Sequence, residues 1–278
     1  MTIPIHNLND GSTLPGIGFG TSPLTGADAR DAVAGALEVG YRLIDTAVNY
    51  ENERDVGAAL RESGLPRDQV QVTSKIPGRH HGYDDAIRST HESLERLGLD
   101  HLDLHLVHWP NPSVGKFHEA WRALVDLQRE GLVRSIGVSN FTERHLARII
   151  EDTGVVPAVN QLELHPYFPQ QEMRQVDAGH GVLTEAWSPL GKSPTPFEEP
   201  AVADAARAHG VTPAQAVLRW HVQLGALPIP KSSNRERQRQ NLDVFGFELS
   251  DDEVSAISAL GRSDGRRFGG DPDTHEEM

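Results

Sequence analysis

The chain has 278 residues, no cysteine, and a net charge of -14 from 26 Lys plus Arg against 40 Asp plus Glu. Disulfides, thiol nucleophiles and thiolate metal sites are thereby excluded, and nonspecific nucleic-acid binding, which needs clustered cations, is disfavoured. No apolar run is long enough to span a bilayer, and the opening MTIPIHNLNDG lacks the basic start and apolar segment of a secretion signal, so a cytoplasmic protein without membrane contact is expected.

In chain order, IHNLNDGSTLP reads as a β-hairpin with Asp10-Gly11 as its turn, within a hairpin segment 1–16. The glycine-rich GIGFGTS follows, but its spacing is not GxGxxG and no helix follows it at once, which argues against an open dinucleotide-binding sheet. Apolar, β-branched runs at 41–45, 70–75, 102–108, 133–140, 157–163 and 181–188 then alternate with stretches of helical spacing, clearest over 27–39, 84–97 and 116–129. Such alternation predicts a parallel sheet with helical crossovers. With no Pro, Gly or Ser-rich linker, the expectation is an α/β fold over 1–278 in one domain, a (β/α)₈ TIM barrel. The Gly-rich, charged tail 262–278 is expected near the barrel mouth as a mobile closing segment or a disordered end.

Polar residues close several of these runs. Asp45, Lys75, His108 and Asn140 are separated by 30, 33 and 32 residues, about one βα unit each, so each falls at the carboxyl end of a successive strand, where barrels gather catalytic groups. If Tyr50 joins them, Lys75 supplies a field favouring the ionised tyrosine, Asp45 holds Lys75 charged, and His108 donates to or polarises a carbonyl oxygen. Singly, each has a bland role: a cap, a salt-bridge partner, an amphipathic surface residue, a solvated strand end or a buried histidine. Together they make an acid site without a side-chain nucleophile, suited to carbonyl reduction by an external hydride. A metal site is not expected. His101, Asp103 and His105 share one strand face, but His108 lies on the other, and His80-His81 falls in a loop.

From about Ile5 to Leu260 the chain resembles the aldo-keto reductases, NADPH-dependent barrel oxidoreductases, in a bacterial-type form. The resemblance is carried by GYRLIDTAVNYENERDVGAAL, VTSK, LDLHLVHWP, GLVRSIGVSNF, VNQLELHP, WSPLG and LPIPKSS, in the family's order. It implies Tyr50 as general acid, tuned by Lys75 and Asp45, with His108 orienting the carbonyl. It implies a nicotinamide cofactor, NADPH (NADP+), across the mouth. Gly20, Thr21 and Asp45 are expected to touch it, with Ser139, Asn140 and Gln161 on the carboxamide and Trp187 stacked on the ring where many relatives have Tyr. Ser188, Pro189 and Leu190 follow as a pyrophosphate-side loop. Lys231, Ser232, Ser233 and Arg237 surround the adenosine 2′-phosphate, and Gln240 and Asn241 face the adenine. Cations, hydroxyls and a helix start are the parts a dianionic phosphate requires.

The implied substrate pocket comprises Tyr50, His108, Trp109, Ser22, Asn49 and Pro77. Relatives often carry bulky aromatics near Ser22 and Pro77, so a wider pocket for a small carbonyl compound is expected. Glu51 stands where many relatives have Gly between the catalytic Tyr and Asn, adding a negative charge beside the mouth or facing solvent. The monomeric state is that of many relatives. A redox-sensing module that binds cofactor with weak or no turnover is the alternative function, since some relatives serve as subunits of membrane channels. A barrel hydrolase lacks paired acid and base carboxylates at the expected strand ends.

Overall fold

The computed structural model describes residues 3–278; Met1 and Thr2 of the expected hairpin segment lie outside the described residues. Strands β1 (Ile5–Asn7) and β2 (Thr13–Pro15) pair antiparallel, with His6 opposite Leu14. Asp10 Oδ1 accepts from Ser12 N at 3.0 Å and tightens the turn between them.

Eight further strands lie side by side in sequence order, each parallel to the next: β3 (Phe19–Gly20), β4 (Leu43–Asp45), β5 (Gln71–Ile76), β6 (Leu102–Val107), β7 (Val133–Ser139), β8 (Val159–Glu163), β9 (Leu183–Trp187) and β10 (Leu227–Pro228). Gly18 N donates to Pro228 O at 3.0 Å and Gly20 N to Pro230 O at 3.2 Å, so the last strand meets the first and the barrel closes. This seam explains the early glycine-rich stretch. A Cβ at Gly18 would lie 2.8 Å from Ile229 Cγ2, and one at Gly20 2.9 Å from Ile229 O. The two seam strands were not among the expected six, because two residues carry no periodicity.

Helices α1 (Gly26–Val39), α2 (Glu53–Glu62), α3 (Tyr83–Leu97), α4 (Phe117–Arg129), α5 (Glu143–Thr153), α6 (Gln171–Gly179), α7 (Pro200–His209), α8 (Pro213–Gln223), α9 (Arg235–Leu242) and α10 (Asp251–Ser258) complete the chain. Both faces of the sheet are buried, which is why most of its strands carry Val, Leu or Ile on both faces instead of alternating apolar with exposed polar residues. Leu43, Leu104, Leu106, Val159 and Leu227 fill the interior. Ile44, Val72, Val107, Ile136 and Val138 pack outward in a core that also holds Val33, Leu97, Trp121 and Leu124 of the helices.

The hairpin closes the amino end of the barrel. Leu8 and Leu14 join the interior cluster, Gln71 Nε2 donates to Thr13 O at 2.7 Å and Asn9 Nδ2 to Pro157 O at 2.9 Å. The carboxyl end is therefore the open one. There the tail is anchored rather than left loose. Arg262 N donates to Tyr167 O at 3.1 Å, its guanidinium lies 3.8 Å from the Tyr167 ring centroid, and Arg267 N donates to Glu163 Oε1 at 2.6 Å.

Candidate active site

Side chains alternate along a strand, so Leu43 and Asp45 both point into the barrel, with Asp45 one pleat nearer the mouth. On the next strand Lys75 is fully buried; its Nζ donates to Asp45 Oδ1 at 2.6 Å and Thr46 O at 2.9 Å, and lies 3.4 Å from Tyr50 Oη. Tyr50 is carried over the mouth by a 3₁₀ turn, Val48–Tyr50. Asn52 steadies that turn, accepting from Thr46 Oγ1 at 2.5 Å and donating to Leu24 O at 2.7 Å. Glu51 follows with φ of 55°, in the left-handed region that favours glycine, which gives a physical reason for Gly at that position in relatives. Its side chain is exposed and does not line the cleft.

His108 leaves β6 with its ring 5.8 Å from that of Tyr50, edge to face. Asn140 Nδ2 donates to His108 O at 3.1 Å and to Ser139 Oγ at 2.9 Å, while its Oδ1 accepts from Trp187 Nε1 at 2.9 Å. The four residues spaced at unit length thus converge, as the spacing predicts.

Burial of Tyr50 pushes its hydroxyl up to about 12, and Asp45 adds to the shift, although Lys75 pulls the other way. This corrects the expectation of a more acidic tyrosine: loss of water outweighs the neighbouring ammonium. For Lys75 burial works against the charge, but the carboxylate of Asp45 overrides it and holds the ammonium above its usual value. Glu185, on β9 and fully buried, is pushed up to about 8 by burial and then by Asp45. Gln161 Nε2 lies between these two carboxyl groups, 2.8 Å from Asp45 Oδ2 and 2.8 Å from Glu185 Oε2.

A cleft of about 700 Å³ opens above this cluster. Of the sequence-predicted residues, Gly20, Thr21, Ser22, Asp45, Tyr50, His108, Trp109, Asn140, Gln161, Trp187, Ser188, Pro189, Leu190 and Lys231 line it. Lys75 and Ser139 lie just beneath, Ser139 Oγ donating to Gln161 O at 2.9 Å. Asn49 and Pro77 do not line it: Asn49 accepts from Arg79 and donates to Met278 O at 3.2 Å, and Pro77 is buried at the start of a 3₁₀ turn. Ser232, Ser233, Arg237, Gln240 and Asn241 lie beyond the cleft lining, at the start of α9 and along it. Ser232 Oγ accepts from Asn234 N at 3.1 Å and from Arg237 Nε at 3.4 Å. Asn241 is buried, and Gln240 donates to Glu236 at 3.2 Å.

The sequence reading missed Phe197, Phe268 and Glu277, which also line the cleft. Phe268 packs on Trp187 at 5.1 Å, and Glu277 Oε1 sits 2.9 Å from His108 Nδ1. No spacing signal joins these residues to the strand ends. Two of the alternating trio His101, Asp103 and His105 are engaged elsewhere: Asp103 accepts from Arg67 at 2.6 Å, and His105 lies between Ser74 O at 2.9 Å and Thr90 Oγ1 at 3.1 Å. Among the described residues, no group of three or more His, Asp or Glu is placed to hold a metal ion, and no helix is long and apolar enough to cross a membrane.

A parallel barrel whose mouth holds a buried Lys–Asp pair under a tyrosine hydroxyl, with no side-chain nucleophile beside it, has the make-up of a barrel oxidoreductase. The family model for the aldo/keto reductase family matches residues 16–196 and 198–262. The chain is 56% identical over 276 residues to 2,5-diketo-D-gluconic acid reductase B of Corynebacterium sp. (strain SHS752001), covering 99% of each. Among solved structures, a Gox0644 mutant in complex with NADPH is 42% identical with a TM-score of 0.94, covering 99% of this chain and 100% of that one. An aldo-keto reductase of Bombyx mori in complex with NADP is 33% identical with a TM-score of 0.88, covering 94% of each. The chain belongs to the aldo/keto reductase family.

Proposed function

We propose that this protein reduces aldehydes or ketones to alcohols with NADPH, with Tyr50 as the general acid. The observation that carries the reading is the 3.4 Å approach of Lys75 Nζ to Tyr50 Oη, with Lys75 itself held by Asp45 at 2.6 Å. The lining fits the cofactor. The amide oxygens of Asn140 and Gln161 are left to accept from a nicotinamide carboxamide, since their nitrogens already donate within the protein, while Trp187 offers a ring and Ser188 a hydroxyl. At the far end Arg235 is paired with Glu38 and Arg239 with Glu236, whereas Lys231 and Arg237 have no carboxylate partner among the described residues. Those two cations, with Ser232 and Ser233 before α9, suit a 2′-phosphate.

Bound there, the nicotinamide would supply a hydride to the carbonyl carbon. Tyr50 gives its proton to the carbonyl oxygen as negative charge develops on it, and the Lys75 ammonium stabilises the tyrosinate left behind. A hydroxyl pushed up to about 12 keeps its proton at neutral pH, yet still yields it to an alkoxide, a far stronger base. His108, its ring 5.8 Å from that of Tyr50, orients the carbonyl. A diketo sugar acid belongs in the first substrate panel because the Corynebacterium relative is named for one.

The test is NADPH absorbance followed over a panel of aldehydes, ketones and diketones. Tyr50→Phe is expected to lower kcat by roughly 10²–10⁴-fold, the usual contribution of a positioned acid, while NADPH still quenches tryptophan fluorescence. Unchanged turnover in that variant sinks the acid assignment. NADPH binding without turnover of any carbonyl would favour the redox-sensing module instead.

A further inference from the structure

One charged group lining the cleft has no part in the chemistry above. Glu277 Oε1 lies 2.9 Å from His108 Nδ1, and Glu277 lines the same cleft as Tyr50 and Trp109. Its position is fixed by the backbone. Glu277 O accepts from Gly78 N at 3.1 Å and from Asn111 Nδ2 at 2.6 Å. A Cβ on Gly78 would come within 2.5 Å of that carbonyl oxygen, so the approach depends on glycine. Upstream, His275 stacks on Trp109 at 4.2 Å and Arg144 holds Asp273 at 2.7 Å. The carboxylate is part of the wall. Burial raises its pKa, but His108 and Asn49 more than offset this and keep the group below the usual carboxylate range.

Apart from His108 itself, which matches this charge only when protonated, the cations nearby do not cancel it for an incoming ligand. Lys75 lies beneath Tyr50 and is already matched by Asp45 at 2.6 Å. Arg79 is tied to Asn49 outside the cleft lining, and in the proposed reading Lys231 serves the cofactor phosphate.

We propose that Glu277 is a specificity-determining residue: its negative charge beside His108 makes this cleft select neutral carbonyl groups over those with a carboxylate next to the carbonyl that is reduced. A diketo acid would then react at a ketone remote from its carboxylate. Like charges a few ångströms apart in a site partly closed to water are poorly screened, so an anionic substrate meets a penalty that a neutral one of the same shape does not. The inference rests on the carbonyl-reduction reading and deepens it.

Methyl pyruvate and pyruvate share a ketone and differ by one charge, so kcat/KM for each, in the wild type and in Glu277→Gln, isolates that charge. The pyruvate-to-methyl-pyruvate ratio is expected to rise about tenfold or more in the variant, a conservative figure for removing one like charge from a half-buried site. Added salt should raise the ratio in the wild type and leave it flat in the variant, a response that a merely structural role for Glu277 would not give. An unchanged ratio overturns the proposal. A ratio that falls also overturns it, since Glu277 would then be holding a charged His108 that attracts acids. Failure of the carbonyl-reduction reading would look different, as no NADPH oxidation with any neutral carbonyl. In that event pyruvate binding, read by quenching of Trp109 and Trp187 fluorescence, still decides the matter: about tenfold tighter binding in Glu277→Gln supports the inference, and equal binding refutes it.

Discussion

The amide nitrogen of Gln161 bridges two carboxyl groups inside the barrel, at 2.8 Å from each, with only one ammonium, Lys75, nearby. Two carboxylates and one cation cannot all stay charged cheaply in a dry interior. Burial, then Asp45, pushes Glu185 up to about 8 from the ordinary value of 4.5, so it holds a proton at neutral pH. The folded state then binds more protons than the unfolded chain. The resulting stability is complete below about 4.5, is lost progressively as pH rises, and is gone above about 8. Glu185→Gln copies the protonated form and removes the titration. Its unfolding free energy in urea should therefore change by less between pH 6 and 9 than that of the wild type, by a few kcal/mol at most. Parallel pH profiles would show that Glu185 does not titrate in this range. The same cluster shows what residue types and spacing reveal and what they hide. Asp45, Lys75 and His108 were legible because a βα unit has a set length. The raised pKa of Tyr50 was not, because a sequence names neighbours but does not report the water they exclude.

At the scale of elements, the six expected strands and helices α1, α3 and α4 were legible within a residue or two, since most of these strands carry Val, Leu or Ile on both faces and these helices keep their spacing. The closing strands were not. With two residues each, they are defined by the hydrogen bonds of Gly18 and Gly20 to the far end of the chain. The phosphate site at the start of helix α9 is implied by the family resemblance, its charge run alone being that of a solvated helix start, and its side chains are engaged unequally. Arg235 and Arg239 are matched by carboxylates, Gln238 packs on α1 by donating to Ala32 O at 2.9 Å, and Asn234 Oδ1 caps Arg237 N at 3.0 Å. Cap and packing hold the helix whether or not Lys231 and Arg237 are present. Replacing both by Ala should therefore leave the melting temperature nearly unchanged. NADPH binding should weaken by roughly tenfold or more, on the scale of two lost charge-assisted bonds, with NADH affected far less. Titration of tryptophan fluorescence with each nucleotide checks this, and equal losses for both would place the phosphate elsewhere. The Glu277 contact with His108 had no such charge cluster to announce it.

Across the whole molecule, the two ends of the barrel divide the work. The hairpin seals the amino end through Leu8 and Leu14, and function is left to the carboxyl end. The tail 262–278 lies over that mouth without entering the barrel, and none of its residues belongs to the three apolar cores. Its attachment is polar and aromatic: Arg262 and Arg267 at 3.8 and 4.8 Å from the Tyr167 ring, Arg266 at 4.8 Å from Phe168, and His275 on Trp109. Contacts of this kind each contribute about 0.5–2 kcal/mol and can open without the core. Deleting 262–278 should accordingly leave a cooperative unfolding transition within about 5 °C of the full chain, while the KM for small carbonyls rises several-fold because one wall of the cleft is gone. NADPH affinity should change less, since the residues proposed to hold the phosphate lie in the loop between β10 and α9 and on α9 rather than on the tail. Calorimetry and steady-state kinetics on the shortened chain would check both halves. A fall in melting temperature of about 15 °C or more would mean that the tail carries part of the barrel's stability, and that fold and substrate selection are not separable here.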